Sequence, residues 1–349
     1  MKGIVIWAHS KCRSTFDLYR EVMRQSPLSV RLVFWKDILD ARIAQGFSEK
    51  AFECIPSVVI GDDWAAVDRI LDEAVGWVHV VAAYQVAEVM QHVMRIAKTR
   101  GDRVVVYSEA PCEMCLGVKG LMKRLYYRFV LPRRIRSVVA CADLILSQSG
   151  MMGIDRLERL GWSREKIVPF GYASPKLSLE ENDFRSQSST SASFRVLHLG
   201  SEAAYRGVDI LEKAVRLAQR QGVMIELSKS GGALPISELV AVIRAADIVV
   251  GCGLCEPWGM RINDAVLEGK PVIVSDGMGV AYMVEQEGCG LVVPKGDPVA
   301  LAKALERCAK DRELVTRLAS GAQRAAQRWS PESRAADFLR IVLGDETRQ

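Results

Sequence analysis

Along the first half of the chain, short apolar runs alternate with segments whose apolar residues recur at helical spacing. Residues 3–7, 30–34, 57–60, 77–81, 104–107 and 144–147 read as buried strands, and 15–25, 64–75 and 84–99 read as helices. The pattern lapses at 174–193, where Pro175, Asn182 and a Ser-rich run at 186–193 carry no periodicity. It restarts with strands at 194–199, 224–227, 247–251 and 271–275. Helices at 208–221, 236–246, 262–268, 300–310 and 312–328 separate and follow them. Pro331 opens a last helix, 332–343, placed to pack back across the seam.

Strand–helix alternation requires crossover connections and hence parallel sheets. The expected fold class is therefore α/β, with two doubly wound Rossmann-like domains facing a cleft. The predicted division is 1–173, a linker at 174–193, 194–330, and a terminal segment 331–349 that crosses back to the first domain.

Composition narrows the class. A chain of 349 residues that is 49% hydrophobic and 26% charged can fill two cores and is no disordered polymer. Its most apolar stretch, 75–90, is broken by His79, Gln85 and Glu88, so no membrane span is expected. The first seven residues are too short a run for a secretion leader, and the nine cysteines are expected as reduced thiols in the cytoplasm.

Net charge is only +5, but its distribution is uneven. Between Met114 and Ala142 stand Lys119, Lys123, Arg124, Arg128, Arg133, Arg134 and Arg136 with no Asp or Glu, interleaved with Leu116, Leu121, Leu125, Tyr126, Tyr127 and Phe129. A helix is expected from about 116 to 129, ended by Pro132. Lys119, Lys123, Arg124 and Arg128 should face outward, with the leucines and aromatics against the sheet or a bilayer boundary. Three or four such cations are worth about 3–4 kcal/mol at an anionic lipid surface. The alternative is a solvated helix face. No nucleic-acid module accompanies the patch.

Two loops carry candidate chemistry. Gly200-Ser201 through Arg206-Gly207 joins a strand end to a helix, offering free backbone N–H groups and a guanidinium fork suited to phosphate. The second runs from Gly251 to Ala265. It places Glu256 in the loop, a tight Pro257-Trp258-Gly259 turn, and Asp264 in the following helix. Two carboxylates so held suit paired sugar hydroxyls, and the amides of Gly259, Met260 and Arg261 suit an anion.

The combination of Glu256, seven intervening residues and Asp264, then Gly269, Pro271, Gly279, Gly288-Cys-Gly290, Pro294 and Asp297, resembles glycosyltransferase family 4. The resemblance is strong from Val196 to Ser330 and thins in the first half to segments around 142–147, 160–162 and 166–171. It implies a retaining, metal-independent transferase of GT-B architecture, with no cofactor, taking a nucleotide-diphosphate sugar as donor. On that resemblance Glu256 meets the donor sugar, Asp264 holds the ribose hydroxyls, and Arg206-Gly207 sits at the diphosphate. The donor set is completed by Gly200, Ser201, Trp258, Gly259, Met260 and Arg261.

The departures are Asp264 in place of a glutamate, Ser201 where an arginine is common, and a short segment at 228–235. The first domain lacks the family's glycine-rich loop. His9, Ser10 and Lys11 stand there as candidates for a phosphate of donor or acceptor, and Glu109 stands near the place of an active-site histidine. The expected partners are a nucleotide sugar, a lipid-linked or cell-surface glycan acceptor and an anionic membrane surface, on the cytoplasmic face of an inner membrane. A soluble acceptor, or a sugar-nucleotide-binding subunit without catalysis, is the alternative.

Two CxxC pairs, Cys112/Cys115 and Cys252/Cys255, have a metal-like spacing but fall in different domains, which argues against a shared zinc site. His79, His92 and His198 read as structural.

Overall fold

The computed structural model describes residues 1–38, 55–174, 177, 193–231 and 234–344. Most of the Ser-rich seam predicted at 174–193 and the last five residues of the terminal segment lie outside the described residues. Seven strands build the first sheet: β1 (Gly3–Ser10), β2 (Ser29–Lys36), β3 (Ser57–Val59), β4 (Val78–Val81), β5 (Arg103–Ser108), β6 (Leu144–Ser147) and β7 (Ile167–Pro169). Their order is β3-β2-β1-β4-β5-β6-β7, every pair parallel.

The second sheet holds β8 (Phe194–Leu199), β9 (Ile225–Ser230), β10 (Ile248–Gly251), β11 (Val272–Ser275) and β12 (Gly290–Val293) in the parallel order β12-β11-β10-β8-β9. The molecule is thus a two-domain α/β protein of doubly wound sheets.

The inner strands are covered on both faces, which is why they read as unbroken apolar runs, whereas the edge strands β3 and β9 are largely exposed, so the expectation of a buried strand at 57–60 fails there. Along β1, Val5 and Trp7 enter one apolar layer while Ile4 and Ile6 enter the layer on the other face. The helix Pro331–Leu343 contributes Ala335, Phe338, Leu339 and Val342 to that second layer of the first sheet. It starts on a Ser330 cap with Pro331 in its first turn, and Arg103 Nε on β5 donates to Val342 O at 3.0 Å.

The expected helix stop at Pro132 does not occur. Gly117–Leu125 runs through a π-turn at Tyr126–Val130 into Leu131–Val139. A proline has no N–H to give and its ring crowds the preceding turn. The wider π-turn lets Pro132 fall in the first turn of the next α segment, where no N–H is required. Of the apolar residues, Tyr126 and Tyr127 pack on the core of the first domain, and Leu116, Leu121 and Leu125 do not. Val118, Leu121, Met122, Leu125, Phe129 and Val130 are exposed, from 44% for Leu125 to 78% for Val118. Among the described residues no helix is long and apolar enough to cross a membrane.

His79 is fully buried on β4. Trp7 Nε1 donates to its Nδ1 at 3.1 Å, which leaves the ring proton on Nε2, 3.6 Å from Asp102. Burial holds its pKa below the ordinary imidazole value, against the pull of Asp102. The unfolded chain therefore takes up this proton first, and stability falls as pH drops below about 6.5. His198 is lowered by burial in the same way. We expect the melting temperature to fall by on the order of a few degrees between pH 7.5 and 5.5. His79→Gln should flatten that slope; an unchanged slope in the variant would remove His79 as a source.

Candidate active site

In a doubly wound sheet, ligands settle at the strand ends where the order of connections reverses. In the second sheet that point lies between β8 and β10, and the two loops singled out in the sequence emerge there side by side. Gly200 (φ +135°) and Gly207 (φ +69°) bound the loop after β8, and a Cβ on Gly207 would collide with the Cys252 carbonyl. Cys252 Sγ donates to Gly207 O at 3.0 Å and Leu254 N to Tyr205 O at 2.7 Å. Burial pushes the Cys252 thiol up to about 12, so it remains a donor at neutral pH. These bonds stitch the two loops together and deliver Arg206 to Glu256, with Nη1 3.1 Å from Oε1.

Glu256 is 8% exposed and its backbone is fixed on both sides, by Glu256 N to Gly277 O at 2.9 Å and Gly279 N to Glu256 O at 3.1 Å. Burial raises its carboxyl above the usual range, and the Arg206 guanidinium opposes that rise. Arg206 is only partly committed, because its buried Nε has no hydrogen-bond partner. Gly259, at φ +113°, caps the helix Met260–Leu267 and turns its first amides and Arg261 toward the same crevice. Asp264 is buried one turn along that helix, 3.6 Å from Arg261.

His198, read from the sequence as a satisfied core residue, also lines this crevice. Its Nδ1 proton goes to Val250 O at 3.1 Å, leaving Nε2 a buried acceptor without a partner. The crevice therefore joins two guanidiniums, helix-terminal amides, a carboxylate and an imidazole lone pair. Cations and amides at one end suit an anion; the carboxylate and imidazole suit hydroxyl donors.

Trp258 does not belong to the crevice. It is 1% exposed, donates Nε1 to Asn263 Oδ1 at 3.1 Å, and packs on Tyr172 and Trp329 with ring centroids 6.1 and 5.6 Å away. Gly171 (φ +77°) touches its ring so closely that a Cβ there would overlap it. Glu109, at the end of β5, accepts from Tyr172 Oη at 2.7 Å and so attaches to this aromatic seam. His9, Ser10 and Lys11 form a separate group at the end of β1. His9 Nδ1 lies 3.2 Å from Ser10 Oγ and edge-on to Trp35, and Lys11 pairs with Asp37 at 2.9 Å. Among the described residues no hydrogen bond or ion pair joins them to Arg206 or Glu256. Ser201 is exposed and Met260 half-buried.

The expectation of reduced thiols fails at one place. Cys112, after β5, and Cys255, after β10, form a disulfide with Cα atoms 6.4 Å apart. Each CxxC pair gives one cysteine to this link between the domains. Arg156 reinforces it, reaching Pro111 O at 2.7 Å, Glu113 at 3.0 Å and Cys255 Sγ at 3.3 Å. Cys112, Glu113 and Cys255 cluster closely enough for a metal, but the bridged sulfurs carry no thiolate to offer one.

Residues 229–325 match the family model described as Glycosyl transferases group 1. Among curated proteins, the chain is 32% identical over 136 residues to the D-inositol 3-phosphate glycosyltransferase of Salinispora tropica, covering 39% of this chain and 27% of that protein. It is 37% identical over 104 residues to the enzyme of the same name from Corynebacterium glutamicum, covering 30% and 25%. The match thus spans about a quarter of the length of these relatives. Among solved structures, Anabaena Alr3699/HepE in complex with UDP superposes with a TM-score of 0.65 at 16% identity, covering 98% of this chain and all of that one. A glycosyltransferase from Rickettsia africae gives 0.64 at 11% identity, covering 99% and 100%. Both share the two-domain fold.

Proposed function

We propose that this chain is a retaining glycosyltransferase that binds a nucleotide-diphosphate sugar in the crevice between β8 and β10 and passes the sugar to an acceptor entering from the first domain. The observation that carries the reading is the Arg206–Glu256 pair at the switch point, with Arg261 and the Gly259–Arg261 turn beside it. The segment 229–325, which matches the group 1 model, contains Glu256 and Arg261. A structural neighbour that holds UDP-glucose supports a nucleotide-sugar donor.

In such a transfer the sugar–phosphate bond breaks with positive charge growing on the sugar ring and negative charge on the leaving diphosphate. Arg206, Arg261 and the helix-terminal amides are fixed before the reaction, so they stabilise that negative charge without reorganising. Glu256, held in place by backbone bonds, faces the sugar side. The exposed apolar and basic residues of the 117–139 helix support a lipid-linked acceptor at an anionic membrane surface.

The test is a thermal-shift screen with UDP-, GDP- and ADP-sugars, followed by transfer and hydrolysis assays with whichever stabilises the protein. Absence of a shift with every nucleotide sugar would overturn the reading. Arg206→Ala should weaken the nucleoside diphosphate by at least about 30-fold and the nucleoside hardly at all, because a buried charged contact is worth about 2–5 kcal/mol when one partner is truncated. Equal weakening of both would remove Arg206 from the phosphates.

A further inference from the structure

A second cavity, of about 530 Å³, opens where the two domains meet. The first domain lines it with Arg124, Arg128, Arg156 and Arg159, and the second adds Lys295, just beyond β12. Glu113 is the only carboxylate among its described lining residues, and Arg156 neutralises it at 3.0 Å. Among the described residues none of Arg124, Arg128, Arg159 and Lys295 pairs with a carboxylate. Four unpaired cations around one space repel one another, and a multiply charged anion relieves that repulsion. Arginine forks also match the geometry of phosphate oxygens.

Position gives the site a role. In the loop after β10, Gly253 and Glu256 face the donor crevice while Leu254 and Cys255 face this cavity, so one short loop is the wall between the two. The volume exceeds what a phosphate alone occupies and matches a small-molecule site. Leu116 and Tyr127 give it an apolar flank, and Leu121 and Phe129 of the same 117–139 segment are exposed.

We propose that this cavity receives the anionic group of a phosphate- or diphosphate-bearing acceptor and sets its free hydroxyl toward Glu256. The proposal rests on the transferase reading for the acceptor's role, but the anion site is testable by itself.

Inorganic pyrophosphate is titrated into protein already saturated with its preferred nucleoside diphosphate, and in parallel into Arg206→Ala protein without nucleotide. A second thermal shift is expected in both. Arg159→Gln and Lys295→Gln should each weaken pyrophosphate about ten-fold, the size of losing one charge-assisted contact. Arg133→Gln and Arg136→Gln, at cations of the adjoining helix outside the cavity, should leave it unchanged. Glucose 1-phosphate and dodecyl phosphate then separate the sources. Equal binding identifies a soluble ester, and tighter dodecyl phosphate binding, lost in Leu121→Ser, identifies a lipid; either supports the site.

No second shift, or equal losses at Arg133 and Arg159, would overturn it. If nucleotide binds and pyrophosphate does not, the anion site falls and the transferase reading stands. If pyrophosphate binds the cavity and no nucleotide binds, the reverse holds.

Discussion

Glu256→Gln is expected to lower transfer turnover by roughly 10²–10³-fold, the loss typical of one preorganised electrostatic group. The substitution keeps shape and volume while removing the charge proposed to face the sugar. The nucleoside diphosphate should still bind, because Arg206 and Arg261 remain and Arg206 no longer shares its charge with a carboxylate. Steady-state kinetics beside a nucleotide titration would check both halves. Turnover close to that of the parent protein, in a folded variant, would remove Glu256 from the chemistry.

Trp258→Ala should cost about 3–5 kcal/mol of stability, the range for deleting a large buried aromatic. Its ring fills the space between Gly171, Tyr172 and Trp329. Denaturant unfolding of the variant against Ser201→Ala, an exposed neighbour of the crevice, is the measurement. A loss below about 1 kcal/mol would mean that the seam repacks around the hole. Gly171→Ala should fall in the same direction, since the added methyl meets the ring at a backbone angle that disfavours it.

These two residues, two positions apart, mark where the sequence was legible. The alternation of apolar runs and helical segments foretold both sheets, because a parallel strand buried on both faces writes itself as a continuous apolar run. β7 and β12, at the sheet edges, do not stand out as strands, while β3, as short and as exposed, is marked by its Val58-Val59-Ile60 run. Pro132 misled for a different reason: a local rule about proline was overridden by a π-turn, which depends on the whole helix.

At the site, Arg206 and Glu256 are 50 positions apart, and only the adjacency of β8 and β10 brings them within 3.1 Å. Which way a side chain points from a tight turn is not written locally, so Pro-Trp-Gly marks a turn without showing that the indole packs away from the crevice. His198 faces the crevice because of its register against Val250, and Cys112 finds Cys255 across 143 positions; both are consequences of tertiary packing.

The loop after β10 is fastened to the first domain twice, by the bond at Cys255 and by the seating of Trp258 against Gly171 and Tyr172. Two fastenings on one loop define a line, and rotation about that line is the relative motion that disturbs neither. Displacement in such a rotation grows with distance from the axis. Glu256 lies between the fastenings in sequence, so its lever arm would be short, while β9, at the outer edge of the second sheet, would have a longer one. A rotation of one domain against the other about that line would leave this carboxylate where it is.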